Sequence, residues 1–366
     1  GHSVCIYQGT RTRIEVKAIS SGGANFSSNI YLANITDKNK SKLLKLFAKI
    51  AGISEKFRDS VTSFQGYDVE RLAYSNLFQI YRHLEEKHGL AAEYKLILPK
   101  YYGADSTHLE ETIVLEDLGS RGFLLNSRFE SVDALSFVYQ HEKLTEFNKL
   151  LNNLTAFVLP DNEESKSSFN HVVQSAIKTV DEKHRNKLEK FMEGVSMKNF
   201  TDLVPVLRHT VLVHGDFRPS NMLYRKKGNG DTEVISVDYQ TIQGGCPVAD
   251  LIYFIICGTD GPFRKRYYQA LVEHYYSELG AALARFGLDV EKKYPREDFD
   301  FELKQKLPYG LIVAVLSYPI LTIEEDQAPK VEEMDVTVFA VPTGDLYRTR
   351  IIQIVEDFVA WGVLTD

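Results

Sequence analysis

The run His214-Gly215-Asp216-Phe217-Arg218-Pro219-Ser220-Asn221, with Asp238 seventeen residues beyond Asn221 in Val237-Asp238-Tyr239-Gln240, carries residue types suited to phosphoryl transfer. In the pattern His-x-Asp-x4-Asn, the Asp can approach a substrate hydroxyl while the Asn amide oxygen ligates Mg²⁺. A second Asp at the end of an apolar strand can bridge that metal to nucleotide phosphates. Asp216, Asn221 and Asp238 are the three residues in question. Polar groups inside apolar sequence are costly to bury without such partners. The plainer alternative is that Asp216 and Asn221 cap a turn and Asp238 ends a strand. His214 reads as a buried hydrogen-bonding scaffold for the loop rather than a base.

The flanking elements must hold these residues together. Val211-Leu212-Val213 enters the loop, Met222-Leu223-Tyr224 leaves it, and Glu233 to Asp238 reads as a returning strand, with a strong turn signal at Lys226 to Asp231 between them. Such a hairpin predicts that Asn221 and Asp238 approach one metal. Upstream, Leu43 to Ile50 reads as a strand with Lys45, Phe47 and Lys49 on one face, and Phe64 to Leu84 reads as a helix containing Glu70. A Lys oriented by a Glu is the clamp that α- and β-phosphates require, and Lys49 with Glu70 is the expected pair. The strand alternation alone permits Lys45 equally.

Two further segments fit nucleotide binding. Ser20 to Asn29, with Gly22, Gly23, Asn25, Phe26 and Ser27, is a Gly- and Ser-rich turn that can bring backbone N–H groups and hydroxyls to phosphates, although an ordinary hairpin tip has the same composition. Thr112 to Gly119 is an apolar strand ending in Glu116-Asp117-Leu118-Gly119. It suits a hinge whose backbone bonds adenine, and a simple strand-to-loop transition reads the same way.

With these motifs in order, the chain resembles the ecdysteroid kinase-like (CHK kinase-like) family, relatives of choline kinases and aminoglycoside phosphotransferases. The resemblance is carried by Asn25-Phe26-Ser27, Phe47-Ala48-Lys49-Ile50, Asp68-Val-Glu70-Arg-Leu-Ala-Tyr74, Pro99 to Tyr102, Leu115-Glu116-Asp117-Leu118, His214-Gly-Asp216, Asn221, Val237 to Gln240 and Pro247-Val-Ala-Asp250-Leu251. It implies an α+β, two-lobed protein-kinase-like (aminoglycoside phosphotransferase-like) fold, with a β-rich N-terminal lobe and a helical C-terminal lobe. By the same resemblance, Asp216 is the base or hydroxyl-orienting group, Asn221 and Asp238 are Mg²⁺ ligands, Lys49 meets the α/β-phosphates of ATP and Glu70 orients it. Asp250 would brace the catalytic loop, which is compatible with a helix N-cap role. Arg218 stands where many kinases place a Lys facing the transferred phosphate. The stretch Phe217-Arg218-Pro219-Ser220 departs from the Trp- and Asn-containing loop common in this family and resembles bacterial phosphotransferase loops.

Composition narrows the class. The chain has 366 residues, 44% of them hydrophobic and 25% charged, which is enough for a large core in two lobes, taken as 1–117 and 118–366. A formal net charge of −7 argues against a nucleic-acid partner, and no apolar run is long enough for a bilayer. Cys5, Cys246 and Cys257 lack metal-ligand spacing, so neither a disulfide framework nor a zinc site is expected and a cytoplasmic location fits. No obligate protein partner is evident. The opening Gly1-His2-Ser3 has neither a basic nor an apolar leader segment; a processed or engineered start is one expectation, and an original targeting peptide ahead of it stays open.

Helices are expected over Ser131 to Leu159, Ile255 to Phe286 and Leu346 to Val363, with Lys183 to Lys190 a solvated helical face and Asp161 to Ser168 a polar loop. Only eleven residues separate Asp238 from Asp250 and no Ala-Pro-Glu follows, so there is little room for the peptide-docking segment of protein kinases. The expected activity is therefore ATP- and Mg²⁺-dependent transfer of the γ-phosphoryl group to a small-molecule hydroxyl, on an ecdysteroid-like steroid or another alcohol. A choline- or aminoglycoside-type phosphotransferase and an inactive nucleotide-binding scaffold are the alternatives. Tyr267, Tyr268, Tyr275 and Tyr276 could line an apolar acceptor pocket or belong to the core. Glu324 to Asp326 and Glu332 to Asp335 could attract a cationic amine or be exposed loops.

Overall fold

The alternating segment around Lys49 does form a strand. In the computed structural model, which describes residues 4–8, 12–19, 27–37, 42–55, 58, 65–125, 132–154, 162–196, 207–230, 232–324, 327 and 341–366, it is the fourth of six. The strands β1 (Val4–Gln8), β2 (Thr12–Ile19), β3 (Ser28–Asp37), β4 (Lys42–Ala51), β5 (Tyr101–Asp105) and β6 (Thr112–Glu116) form an antiparallel sheet in the order β1-β2-β3-β4-β6-β5. Lys49 sits opposite Ile30 on β3 and Ile113 on β6, at the centre of the sheet. The pairing with β6 covers only Leu46 to Ile50 of β4. Lys45 falls just beyond it and is exposed, whereas Lys49 is buried.

Against this sheet packs the Glu70 helix, in two parts: α1 (Gly66–Leu72) and α2 (Phe78–Lys87), joined without a break by a π-helical turn at Ala73–Leu77. The wider turn inserts one residue into the helical period, letting Ala73, Tyr74, Leu77, Phe78, Tyr81 and Leu84 all face the core. Phe64, the expected start, lies outside the described residues.

The second half is helical apart from two small sheets. After β7 (Leu124–Leu125) come α3 (Val132–Glu142), α4 (Leu144–Asn153), α5 (Glu163–Thr179) and α6 (Glu182–Glu193). The strands β8 (Val211–Val213), β9 (Met222–Lys226), β10 (Thr232–Ser236) and β11 (Gln243–Gly245) then frame the loop of interest, with β8 pairing β11 and β9 pairing both β10 and β7. The remainder is α7 (Val248–Gly258), α8 (Gly261–Arg285), α9 (Val290–Lys293), α10 (Arg296–Leu321) and α11 (Asp345–Ala360). This is the α+β, two-lobed protein-kinase-like plan. One apolar core runs from Val69 on α1 to Leu364, with α7 and α10 buried at its centre. Among the described residues no helix is long and apolar enough to cross a membrane, and Cys246 and Cys257 are free thiols.

Local chemistry corrects three helix boundaries. The helix expected over Ser131 to Leu159 is interrupted at Lys143, whose φ of −139° and ψ of 53° are not helical, and it ends at Asn153, before an extended Leu154. The stretch expected from Ile255 to Phe286 starts earlier, at Val248, and breaks at Thr259-Asp260. There Asp260 caps α8 by accepting from Phe263 N at 2.9 Å, with Pro262 in the first turn. The polar Asp161 to Ser168 segment is largely helix. Asn162 caps α5 by accepting from Ser165 N at 2.8 Å, and Glu163 and Glu164 complement the dipole in the first turn.

The four tyrosines of the α8 stripe are core or surface, each with its own partner. Tyr276 donates to Glu291 Oε1 at 2.7 Å, Tyr275 donates to Pro247 O at 3.2 Å and Tyr268 stacks on Trp361 at 4.4 Å. Tyr267 is exposed beside Phe263. They do not form one pocket wall. Glu325, Asp326 and Glu332 to Asp335 lie outside the described residues.

The caps give a direct check on the corrected boundaries. Asn162→Ala and Asp260→Ala should each lower unfolding free energy by about 1 kcal/mol in denaturant titrations, because each orphans a first-turn N–H. A loss within error at both positions would remove the caps as the reason these helices start there.

Candidate active site

Lys49 is the first residue to place. Its ammonium is buried, with the side chain 6% exposed, and meets Glu70 Oε2 at 2.8 Å and Asp238 Oδ1 in a second ion pair. Gln240 Oε1 lies 3.4 Å away and also accepts from Ser27 Oγ at 2.8 Å, so the start of β3 is tied to the residues after Asp238. Burial by itself would push the Lys49 pKa down. The charges of Asp238 and Glu70 outweigh it and hold Lys49 above the ordinary lysine range, so it stays protonated. The expected Lys49–Glu70 pair is thus present, with Asp238 as a third member.

Asp238 reaches Lys49 because of an unusual backbone. It is a non-glycine residue at φ 68° and ψ 58°, in the left-handed region that costs most side chains about 1–2 kcal/mol. The turn is held on both sides. Val237 N donates to Asn221 O at 2.9 Å, and Tyr239 packs its ring on Phe78 at 4.7 Å and on Tyr74 at 5.9 Å. The hairpin β9–β10 therefore sets Asn221 and Asp238 at the same level, as the turn between them predicts.

The Asp216 loop is braced from beneath. Asp250, in the first turn of α7, accepts from His214 N at 2.6 Å through Oδ2 and from Gly215 N at 3.0 Å through Oδ1. It thus holds the loop and is not a side-chain cap of its own helix. Gly215 has φ 82°, and a Cβ there would lie 2.5 Å from Thr241 O, so no other residue fits without displacing backbone. His214 has the structural place expected of it: its Nε2 bonds Val237 O at 3.0 Å and its ring packs 4.8 Å from Tyr239.

Asp216 itself is densely contacted. Arg218 Nε donates to both carboxylate oxygens at 3.0 Å, Asn221 Nδ2 to Oδ2 at 2.8 Å and the Tyr253 hydroxyl to Oδ1 at 2.9 Å. Burial pushes the Asp216 pKa up. Arg218 and the Tyr253 hydrogen bond pull harder in the other direction, leaving it below the usual aspartate value. Asp216 is therefore a carboxylate at neutral pH, suited to orienting a hydroxyl more than to removing its proton early. Asn221 also donates from Nδ2 to Asp216 O at 2.9 Å, which turns its amide oxygen away from that residue.

At the expected hinge, Glu116 N donates to Lys100 O at 2.8 Å and Asp117 N to Lys45 O at 3.2 Å, while Leu118 is buried with Phe123 and Ile235. Gly22, Gly23, Asn25 and Phe26 of the expected phosphate turn lie outside the described residues, and Ser27 is the member seen. The sequence marks Tyr253 only as one end of the stretch, to Tyr318, expected to grip an acceptor; its hydrogen bond to Asp216 was not anticipated. Its signal was available, since Asp250 and Tyr253 are three apart on one helix and so share the face turned to the loop.

Three substitutions separate these roles. Lys49→Met strands the buried Glu70 and the part-buried Asp238 without a cation and should cost about 3 kcal/mol of stability, whereas Lys45→Met should stay within about 0.5 kcal/mol. Asp250→Ala orphans two loop N–H groups and should cost about 3 kcal/mol. Thermal or denaturant unfolding measures all three, and equal effects at Lys45 and Lys49 would contradict the buried triad.

Comparisons with known proteins bear on the whole chain. It is similar over 98% of its length, and 94% of that chain, to wild-type aminoglycoside 2'-phosphotransferase-IIIa in a GDP complex, at 13% identity and a TM-score of 0.38. It is similar over 98% of its length, and 94% of that chain, to a glucosamine kinase in complex with glucosamine, ADP and inorganic phosphate, at 10% identity and a TM-score of 0.34. An aminoglycoside phosphotransferase from Streptomyces rimosus, in complex with ADP and streptomycin, matches 75% of this chain and 90% of its own at 15% identity and a TM-score of 0.28. No curated protein matches the chain. The family model described as the ecdysteroid kinase-like family matches residues 22–288, most of the sequence including every site residue named above. The chain belongs to the ecdysteroid kinase-like family.

Proposed function

We propose that this protein is an ATP- and Mg²⁺-dependent small-molecule kinase that transfers the γ-phosphoryl group to a hydroxyl. The observation that carries the reading is the buried Lys49 held by Glu70 and Asp238, with the Asp216–Asn221 loop fastened beside it. A sheet lobe of 1–117 would supply the phosphate clamp and a helical lobe of 118–366 the loop and acceptor site.

The donor set suits the metal. Among the described residues no group of three His, Cys, Asp or Glu side chains could hold an ion by itself. Mg²⁺ does not need one, because it commonly takes one or two protein oxygens and completes its shell with phosphates and water. Asp238 offers a carboxylate and Asn221 an amide oxygen turned off Asp216. Mg²⁺ held there would neutralise charge on the β- and γ-phosphate oxygens. Lys49 would meet the α- and β-phosphates, Asp216 would orient the acceptor hydroxyl, and Arg218 would set positive charge beside the transferred group. With the N–H groups of Glu116 and Asp117 spent within the sheet lobe, Leu118 N is the donor of this hinge segment for adenine.

The small-molecule assignment rests on the span from Asp238 to Asp250. Tyr239–Thr241 form a 3-10 turn, Ile242 is buried, Gln243–Gly245 pair with β8, and Cys246 and Val248 are buried. Every stretch is committed to structure, so none remains as a peptide platform.

Asp216→Asn should keep ATP affinity while lowering transfer by about 10²-fold or more. Asp238→Asn and Asn221→Ala should instead weaken Mg²⁺-ATP binding, read by titration calorimetry with and without the metal. Incubation with ATP, Mg²⁺ and a metabolite extract should yield a product heavier by one phosphoryl group, with generic protein substrates unlabelled. Robust peptide labelling with no metabolite product would overturn the reading.

A further inference from the structure

If Asp216 orients an alcohol, the alcohol must donate a hydrogen bond to a carboxylate whose oxygens already carry donors. Arg218 Nε occupies both oxygens, Asn221 Nδ2 holds Oδ2 and Tyr253 OH holds Oδ1. These donors differ in what their removal would cost. Arg218 is a buried cation paired to Asp216, and separating them would leave a desolvated charge. Asn221 is fixed twice by the same residue, through the backbone oxygen and the carboxylate. Tyr253 is a neutral O–H, the same kind of donor as an incoming alcohol. Replacing one by the other leaves the carboxylate fully bonded.

We propose that the Tyr253 hydroxyl holds the acceptor's place on Asp216, as a latch that denies this carboxylate to water until an alcohol displaces it. The inference rests on the kinase reading above. The surroundings favour a donor that stays protonated: burial and the Asp216 charge raise the phenol well above its ordinary pKa. Tyr253 also lies on α7, the helix whose Asp250 fixes the loop, so its position relative to Asp216 is set by the same element.

The test needs only ATP, Mg²⁺ and water, whatever the natural acceptor. In hydrolysis the water oxygen bonds to the γ-phosphorus, the bond from that phosphorus to the bridging oxygen breaks with its electron pair on ADP, and the water proton passes by Asp216 to solvent. Tyr253→Phe keeps the ring, opens one acceptor position on Oδ1, which Arg218 Nε still bonds, and should raise ATP hydrolysis about five-fold or more. ATP affinity should not change, and the protein should stay folded with only a small drop in melting temperature from the lost hydrogen bond. Tyr253→Leu should act in the same direction, and Tyr253→Phe combined with Asp216→Asn should return hydrolysis to the wild-type level or below. A protein that binds ATP but hydrolyses it no faster in either single variant overturns the latch and leaves the kinase reading intact. A wild-type protein that binds no ATP overturns both. Loss of the folded state in both variants would show the phenol to be a structural strut and would also overturn the latch.

Discussion

A lysine ammonium taken out of water at the centre of a sheet must be matched by charge, and Lys49 is matched from two directions. Glu70 comes from a helix packed on the sheet and Asp238 from the turn that follows β10, in the later half of the chain. An unpaired buried charge costs several kcal/mol, more than most single contacts supply. The register of β4, the position of α1 and the turn at Asp238 are therefore coupled through one nitrogen. The π-helical turn after α1 fits this coupling, since it lets the same helix present Glu70 to Lys49 and Tyr74 and Phe78 to Tyr239.

The Asp216 loop obeys a second constraint, the satisfaction of buried backbone. A loop inside a protein has N–H groups that no regular element bonds, and each must find an acceptor. Asp250 supplies two acceptors to His214 and Gly215, and Val237 N finds its acceptor at Asn221. These bonds support the left-handed conformations at Gly215 and Asp238, which would otherwise relax. Strain, backbone hydrogen bonding and charge pairing thus meet around the Asp216 loop and Asp238. The apolar helices α7 and α10 beneath them supply the rigid base.

Much of this was legible in sequence, for identifiable reasons. The spacing from Asp216 to Asn221 to Asp238 is short and the intervening Lys226–Asp231 turn permits one hairpin, so the site's order followed from local rules. The strand around Lys49 and the helix around Glu70 were equally visible as periodic segments. What failed was punctuation. Asn162 and Asp260 start helices through a single side-chain hydrogen bond each, and polar composition around the first read as loop. The break at Lys143 has no Gly or Pro to announce it.

By itself the sequence determined which residue types stand at which intervals, and hence the kind of chemistry and the elements that carry it. Strand alternation could not choose between Lys45 and Lys49, which only the family motif separated, because it places both on one face; the extent of the β6 pairing buries one of them. Nor could the sequence turn the α8 tyrosines into core or pocket, since a helical stripe records that a face is covered and not by what. Tyr253 is the clearest case. Its meeting with Asp216 spans thirty-seven residues and depends on α7 being fixed to the loop by Asp250. Contacts of that kind arise from packing, in which the position of each element is decided by all the others at once.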